Sequence, residues 1–164
     1  MLNQLGLISD IAPNEKPVFE IDNPYFEDQV EYIYIYQSFI VIYREGTKPF
    51  MGEYLKNQLE LPIAAANWIV DAVENGFKKK PSEGGLPKDV FNMSSTIDSE
   101  ELYIRWGVSV AGEGIGGYTI KNFDRSGYID TGNCQKFSIA HDIMDEQILP
   151  LLKDIAKKHQ AGEL

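Results

Sequence analysis

Residues 31–43 read EYIYIYQSFIVIY, and the interpretation of the whole chain starts from this stretch. Its two runs, 32–36 and 39–43, consist of aromatic and β-branched residues, the types that favour strands. A shorter run of the same kind follows at 58–63, and a helix-like segment extends from Ala64 to Val73. The pattern predicts a unit of several strands that ends in one helix.

The second half of the chain repeats this order of elements. Residues 101–110 alternate between apolar and polar side chains, which predicts a half-buried strand. Further strands are expected at 118–123 and 135–140, and a closing helix at 145–159. The predicted fold class is therefore α+β, with two β-β-β(-β)-α repeats in which each curved antiparallel sheet is backed by a helix.

Turn-forming residues divide the chain into segments. Repeat one is predicted at 17–80 and repeat two at 98–160, joined by a linker at 81–97 that is rich in Pro, Gly, Ser and Asn. Residues 1–16 are expected to form a loose lead-in. The chain has 164 residues, of which 43% are hydrophobic, so a single intertwined domain is the alternative to two separate units.

The net charge and the cysteine content limit which classes of protein the chain can belong to. The formal net charge of −10 argues against a simple polyanion binder, because basic residues that neutralise phosphates supply most nonspecific affinity for nucleic acids. Cys134 is the only cysteine, so no internal disulfide can form, and a reducing, cytoplasmic location is predicted. No signal peptide is predicted at the N-terminus, and no apolar run approaches the length of a membrane span.

The sequence does not indicate an enzyme. His141 and His159 are the only histidines that could activate Cys134, and no Ser-His-Asp or paired-histidine pattern is present. We therefore predict no catalytic residues, no cofactor and no metal site. A site assembled from scattered carboxylates is a third, less favoured hypothesis.

Two motifs resemble ligand-binding signatures. Gly112, Gly114 and Gly117 have the spacing of a dinucleotide fingerprint, but that motif requires a helix directly after the glycines, and a strand is predicted here. Residues 122–133 place oxygen donors at alternate positions, as in a calcium loop, yet the twelfth residue is Asn133 instead of a bidentate Glu. A hairpin and a polar turn are favoured, and calcium binding in the turn from Asp124 to Asn133 is left open.

The tyrosines of the first repeat are the most informative candidates for binding. The alternation puts Tyr32, Tyr34 and Tyr36 on one face of the strand. Ile33 and Ile35 lie on the opposite face and should enter the core. Exposed rings on a sheet can stack on nucleic-acid bases, at roughly 1–3 kcal/mol per base. In repeat two, aromatic and basic residues occupy the matching positions. The residues predicted to bind nucleic acid are Tyr32, Tyr34, Tyr36, Arg44, Tyr103, Arg105 and Lys121.

Residues 58–62 run directly into the helix predicted at 64–77. Repeat two has a similar order: residues 118–123, Gly127, Gly132, the strand at 135–139 and the helix from Asp145. In this order of elements the chain resembles the PUR, Whirly and positive-cofactor-four group of single-stranded nucleic-acid-binding folds. The resemblance implies a sheet followed by a helix, doubled in one chain or paired in a dimer. This chain departs from the group in being acidic, with few basic residues on its strands.

Two functions are therefore considered. The first is a single-stranded DNA or RNA binding protein, a possible homodimer, that uses an aromatic sheet face with weak and salt-sensitive affinity. The alternative is an acidic protein-interaction module, such as an inhibitor, an immunity-type protein or a nucleic-acid mimic, that does not bind nucleic acid. The net charge and the lack of a catalytic pattern favour this alternative. Competing explanations for the tyrosines are that the other repeat or a second subunit covers them.

Overall fold

The structure, a computed structural model, describes residues 4–130 and 132–164. It contains two four-stranded antiparallel sheets, each with its strands in chain order. The first sheet consists of β1 (Phe19–Ile21), β2 (Gln29–Tyr36), β3 (Phe39–Phe50) and β4 (Glu53–Pro62). The second consists of β5 (Asn92–Ile97), β6 (Glu100–Gly107), β7 (Gly117–Ser126) and β8 (Cys134–Ala140). The α+β class with two sheet units is confirmed.

A helical segment follows each sheet. The first is α2 (Ala65–Asp71), which continues as a π-helical turn, Ala72–Phe77; a short α1 (Ile8–Ile11) precedes β1. The second comprises α3 (His141–Ile143), a π-helical turn at Met144–Ile148 and α4 (Leu149–Gln160). Pro150 lies in the first turn of α4, directly after this π turn, and its ring and missing N–H do not fit an unbroken run of α-helical bonds through that point. Among the described helices, none has the length and apolar composition needed to cross a membrane.

Alternation along the strands decides which side chains enter the core. Ile33 pairs with Ile42 across β2 and β3, and Ile104 pairs with Ile120 across β6 and β7. All four are at most 1% exposed. These faces of both sheets belong to one hydrophobic cluster with residues of α2 and α4, and the two helices pack against each other. The inward orientation predicted for Ile33 and Ile35 is thus confirmed, since Ile33 is buried and Ile35 packs against this cluster.

The strand registers show how the repeats correspond. Phe39 pairs with Pro62 at the end of the first sheet, and Gly117 pairs with Ala140 at the same place in the second. With these pairs superposed, β3 corresponds to β7 and β4 to β8. The edge strands β4 and β8 lie against each other, so the two sheets meet along one seam.

Equivalent residues make equivalent bonds across this seam. Arg44 of β3 corresponds to Asn122 of β7, and Glu60 of β4 corresponds to Ser138 of β8. Arg44 Nη2 donates to the Ser138 carbonyl at 3.2 Å, and Asn122 Nδ2 donates to the Glu60 carbonyl at 2.9 Å. Each repeat therefore satisfies a backbone acceptor on the edge strand of the other, as expected for buried polar groups.

Three segments differ most from their predicted structure. The predicted linker contributes β5, whose exposed Ser and Thr side chains alternate with partly buried ones such as Met93 and so weakened its apolar signal. The strand predicted at 101–110 ends at Gly107, and Val108 is 75% exposed because the chain turns toward the glycines. The lead-in is not loose, since Ile8 is 1% exposed against Val41 and Tyr43. The hairpin predicted at 112–117 is confirmed.

Candidate functional site

The tyrosines predicted to stack on bases lie on the outer face of the first sheet. Tyr32, Tyr34 and Tyr36 are all half-buried, and they pack in a small cluster with apolar residues of the N-terminal segment, 5–12. Tyr32 and Tyr34 also make an edge contact, with ring centroids 6.3 Å apart. The chain itself therefore covers part of this face and leaves less ring surface for a ligand.

Hydrogen bonds hold the N-terminal segment on this sheet. The backbone N–H of Leu5 donates to Glu60 Oε1 and that of Ile8 donates to Gln58 Oε1, both at 2.8 Å. Gln58 Nε2 donates in return to the Gly6 carbonyl at 2.9 Å. Gln58 and Glu60 are fully buried, so these bonds satisfy polar groups that water does not reach.

Replacing Ile8 by Ala is expected to lower the free energy of unfolding by about 2 kcal/mol, the low end for a buried isoleucine, because so short a segment can detach locally. Urea unfolding followed by circular dichroism measures the change. Ile11→Ala is the matched control, since Ile11 is on the same helix and is 41% exposed. Its loss should stay below about 0.5 kcal/mol. Equal losses for the two variants would contradict a docked segment.

Arg44 does not lie with the tyrosines. It points to the inner side of the sheet, where its Nε and Nη2 atoms donate to Glu31 Oε2 at 2.9 and 2.7 Å. Glu31 is 2% exposed, and the Arg44 guanidinium carbon lies 4.3 Å from the centre of the Phe137 ring in the other repeat. A phosphate contact by Arg44 would require this ion pair to open, so the contact remains a prediction.

Tyr103, Arg105 and Lys121 lie together on the outer face of the second sheet. Tyr103 stands opposite Lys121 across β6 and β7, and Lys121 Nζ is 5.4 Å from the centre of the Tyr103 ring. The Tyr103 ring also contacts Phe123, with centroids 5.5 Å apart. Arg105 is exposed one pair of residues further along β6. The alternation of residues 101–110 correctly placed these side chains on one face.

Lys136 completes this face, although the sequence reasoning did not select it. It is exposed on β8 and stands directly opposite Lys121. The same alternation could have predicted that Lys136 faces outward, because its neighbour Phe137 and Ile139 both enter the core. We refer to Tyr103, Arg105, Lys121, Phe123 and Lys136 as the Tyr103 face.

A second set of charged side chains is buried at the seam. Arg125, which is 6% exposed, donates from Nε to Glu100 Oε1 at 2.5 Å and from Nη1 to Glu60 Oε1 at 3.3 Å. The Tyr128 hydroxyl donates to Glu60 Oε2. Burial raises the pKa of Tyr128, and its bond to Glu60 raises that pKa further. Because the N-terminal segment covers this network and supplies N–H donors to it, we interpret it as structural.

The oxygen donors of the calcium-like stretch have separate partners. Asn122 Oδ1 accepts the N–H of Asp124 at 3.0 Å, and Asp124 Oδ2 accepts the N–H of Glu101 at 2.6 Å. Asp130 Oδ1 instead accepts the N–H of Gly132 at 3.1 Å, and Thr131 lies outside the described residues. Within 4–130 and 132–164, no group of three or more His, Cys, Asp or Glu is placed to hold a metal ion.

No protein-family model, curated protein or solved structure matches this chain. The resemblance to single-stranded nucleic-acid-binding folds therefore stays a prediction that depends on the order of elements and on a few residues. Function is inferred from the side chains that the fold exposes together, of which the Tyr103 face is the clearest set.

Proposed function

We propose that this protein binds single-stranded DNA or RNA on the Tyr103 face. The observation that carries the proposal is the pairing of Lys121 with Lys136, beside the Tyr103 ring in the same row across the sheet. Side chains directly opposite on neighbouring strands have Cβ atoms about 4.5–5.5 Å apart, so two like charges there repel each other. A bound phosphate would relieve that repulsion.

The chemistry of this face suits a single strand better than a duplex. The Tyr103 and Phe123 rings can each offer a surface to an unpaired base, and base stacking tolerates any sequence. Lys121, Lys136 and Arg105 can contact the backbone phosphates beside those bases. The net charge of −10 opposes binding at long range, so the affinity should be modest and sensitive to salt.

The doubled order of four strands and a helix also supports the proposal, because the resemblance to the PUR, Whirly and positive-cofactor-four group rests on that order. Tyr32, Tyr34 and Tyr36 would form a second contact surface, and their role remains a prediction. We give the Tyr103 face precedence because the N-terminal segment covers part of the tyrosine surface.

Replacing Tyr103 by Ala is expected to weaken binding of a short labelled oligothymidine or oligouridine by about 5- to 150-fold, the loss of one stacked base. Fluorescence anisotropy at low and moderate salt measures it. Tyr34→Ala is the matched tyrosine control, and it should change affinity much less. Equal losses for Tyr103→Ala and Tyr34→Ala would place the strand on both faces. Unchanged affinity in a folded Tyr103→Ala variant would contradict the proposal.

The lysine pair is tested by the slope of affinity against salt. Three cations in contact with phosphates predict a slope of log K against log salt of about −2, and Lys121→Ala with Lys136→Ala should reduce it by about 1.4. The double variant Lys157→Ala with Lys158→Ala also removes two positive charges, but from α4 and not from the Tyr103 face. It is therefore the control for the change in net charge. If both double variants change the slope equally, the binding is nonspecific.

The alternative function is an acidic protein-interaction module. The tip of the β3–β4 hairpin favours it, because Phe50 is 73%, Met51 89% and Tyr54 53% exposed, and large exposed apolar groups mark interaction surfaces. A lack of oligonucleotide binding even at low salt would support this alternative. The alternative also requires a protein partner that binds the native chain and no longer binds the double variant Phe50→Ser with Met51→Ser.

A further inference from the structure

A cleft of about 520 Å³ opens on the opposite side of the second sheet from the Tyr103 face. Consecutive strand residues point to opposite faces, so Trp106 lines this cleft while Arg105 belongs to the Tyr103 face. The π turn after α2, the loop 78–91 and the start of α3 form its other walls. Its volume lies within the range of about 300–1,000 Å³ that is usual for small-molecule sites.

The floor of the cleft is aromatic. The Trp106 ring makes an edge contact with Tyr118 at 5.2 Å between centroids, and Tyr118 makes one with Phe77 at 5.5 Å. Gly116 permits the placement of Trp106, because a Cβ atom there would lie 2.8 Å from the indole ring. Phe91, which is 54% exposed, adds a ring at the opening. A planar apolar group can therefore stack on this surface.

The lining of the cleft carries more lysines than carboxylates, in a protein that is strongly acidic. Lys78, Lys79 and Lys88 line it together with Asp89 and Asp145, and Asp145 pairs with Lys78 at 2.6 Å. Within the described part of the chain, neither Lys79 nor Lys88 forms an ion pair. These two ammonium groups remain available to an anion beside the aromatic floor.

The loop that carries the lysines is tied to the body of the protein. The N–H of Leu86 donates to the Gly76 carbonyl at 3.0 Å, and that of Trp106 donates to the Phe91 carbonyl at 2.9 Å. Gly85 lies so close to the chain that a Cβ atom there would meet the Lys79 carbonyl oxygen at 1.9 Å. The cleft is thus a formed site with fixed walls, which reduces the ordering cost of binding.

We propose that this cleft binds a small planar aromatic molecule that carries an anionic group, such as a phosphate or sulfonate. The ring stacks on Trp106 and Phe91, and the anion contacts Lys79 and Lys88. A neutral aromatic molecule would leave the two lysines unused, and a simple inorganic anion would leave the rings exposed. A molecule with both an aromatic ring and an anionic group therefore fits the cleft best. This site is independent of strand binding on the Tyr103 face.

The test uses adenosine monophosphate and anilinonaphthalene sulfonate as anionic probes, and adenosine as the uncharged counterpart. Calorimetry measures affinity, and a Trp68→Phe background leaves Trp106 as the only indole, so its quenching reports the site. At least one anionic probe should bind saturably and quench Trp106. Adenosine should bind about tenfold more weakly than adenosine monophosphate, the effect of one charged hydrogen bond.

Substitutions assign the binding to the cleft. Lys79→Ala with Lys88→Ala should weaken the anionic probe about tenfold or more, and Phe91→Ala about 5- to 150-fold. Lys157→Ala with Lys158→Ala is the control and should leave affinity unchanged, as should Tyr103→Ala. Failure of both anionic probes to bind saturably, or binding that these cleft variants do not change, would overturn the proposal.

Two further outcomes separate this site from the proposed function. Probe binding that survives while oligonucleotide binding is absent would uphold the cleft and reject the Tyr103 face. An oligonucleotide with a terminal phosphate that displaces the probes and binds more tightly than adenosine monophosphate would assign the cleft to a strand end, which overturns the small-molecule occupant.

Discussion

Replacing Arg125 by Met is expected to lower the free energy of unfolding by about 3–5 kcal/mol, because the substitution leaves buried carboxylates without their cation. Glu60 is fully buried and Glu100 is 4% exposed, and Arg125 bridges them. The Arg125 guanidinium carbon also lies 4.5 Å from the centre of the Phe39 ring in the other repeat. The variant therefore loses an ion-pair network and a contact between the repeats.

Urea unfolding at neutral pH measures this loss. Arg105→Met is the matched control, since Arg105 is an exposed arginine of the same sheet, and its effect should be below about 0.5 kcal/mol. Adding Glu60→Gln and Glu100→Gln to Arg125→Met should restore part of the stability, because the buried charges are then removed together. Equal losses for the two arginine variants would show that the seam is not a buried ionic network.

Replacing Phe137 by Ala is the second large change, with an expected loss of about 3–5 kcal/mol in the free energy of unfolding. Phe137 is 1% exposed on β8, where it pairs with Ile120 and lies under the Arg44 guanidinium. Truncation leaves a cavity in the core of the second sheet. It also removes the surface that holds Arg44 of the first repeat.

Thermal and urea unfolding both report this loss. Phe50→Ala is the control for removing a phenyl ring, since Phe50 is 73% exposed at the hairpin tip, and it should cost less than about 0.5 kcal/mol. A single unfolding transition that moves as a whole in Phe137→Ala would show that the repeats unfold together. A small loss, close to that of Phe50→Ala, would contradict the packing described at the seam.

These expectations separate residues that hold the fold from residues available to a ligand. Arg44 and Arg125 are both engaged by buried carboxylates and by phenyl rings of the opposite repeat. Arg105, Lys121 and Lys136 instead lie on an outer face beside Tyr103. Substitution should therefore affect stability in the first group and binding in the second.

Alternation in the sequence was sufficient to predict much of the candidate site. Because strand side chains alternate strictly, the apolar positions of residues 101–110 implied that Tyr103 and Arg105 share the other face, and Lys121 follows from the pairing of β6 with β7. The same rule assigned Ile33 to the core and Tyr34 to the outer face. It misplaced Val108, because the glycines after Gly107 turn the chain and end the strand.

The sequence by itself determined the two sheet-and-helix units and the faces of their central strands, since a period of two residues is a local property. Only the tertiary structure decided that Arg44 enters an ion pair, that the N-terminal segment covers part of the tyrosines and that residues 92–97 form a strand. The first two outcomes depend on partners more than ten residues away, and the third depends on pairing with β6, in which Ile97 stands opposite Glu100. Burial of a charged or tyrosine side chain is set by what packs on it, and that partner is chosen by the whole fold.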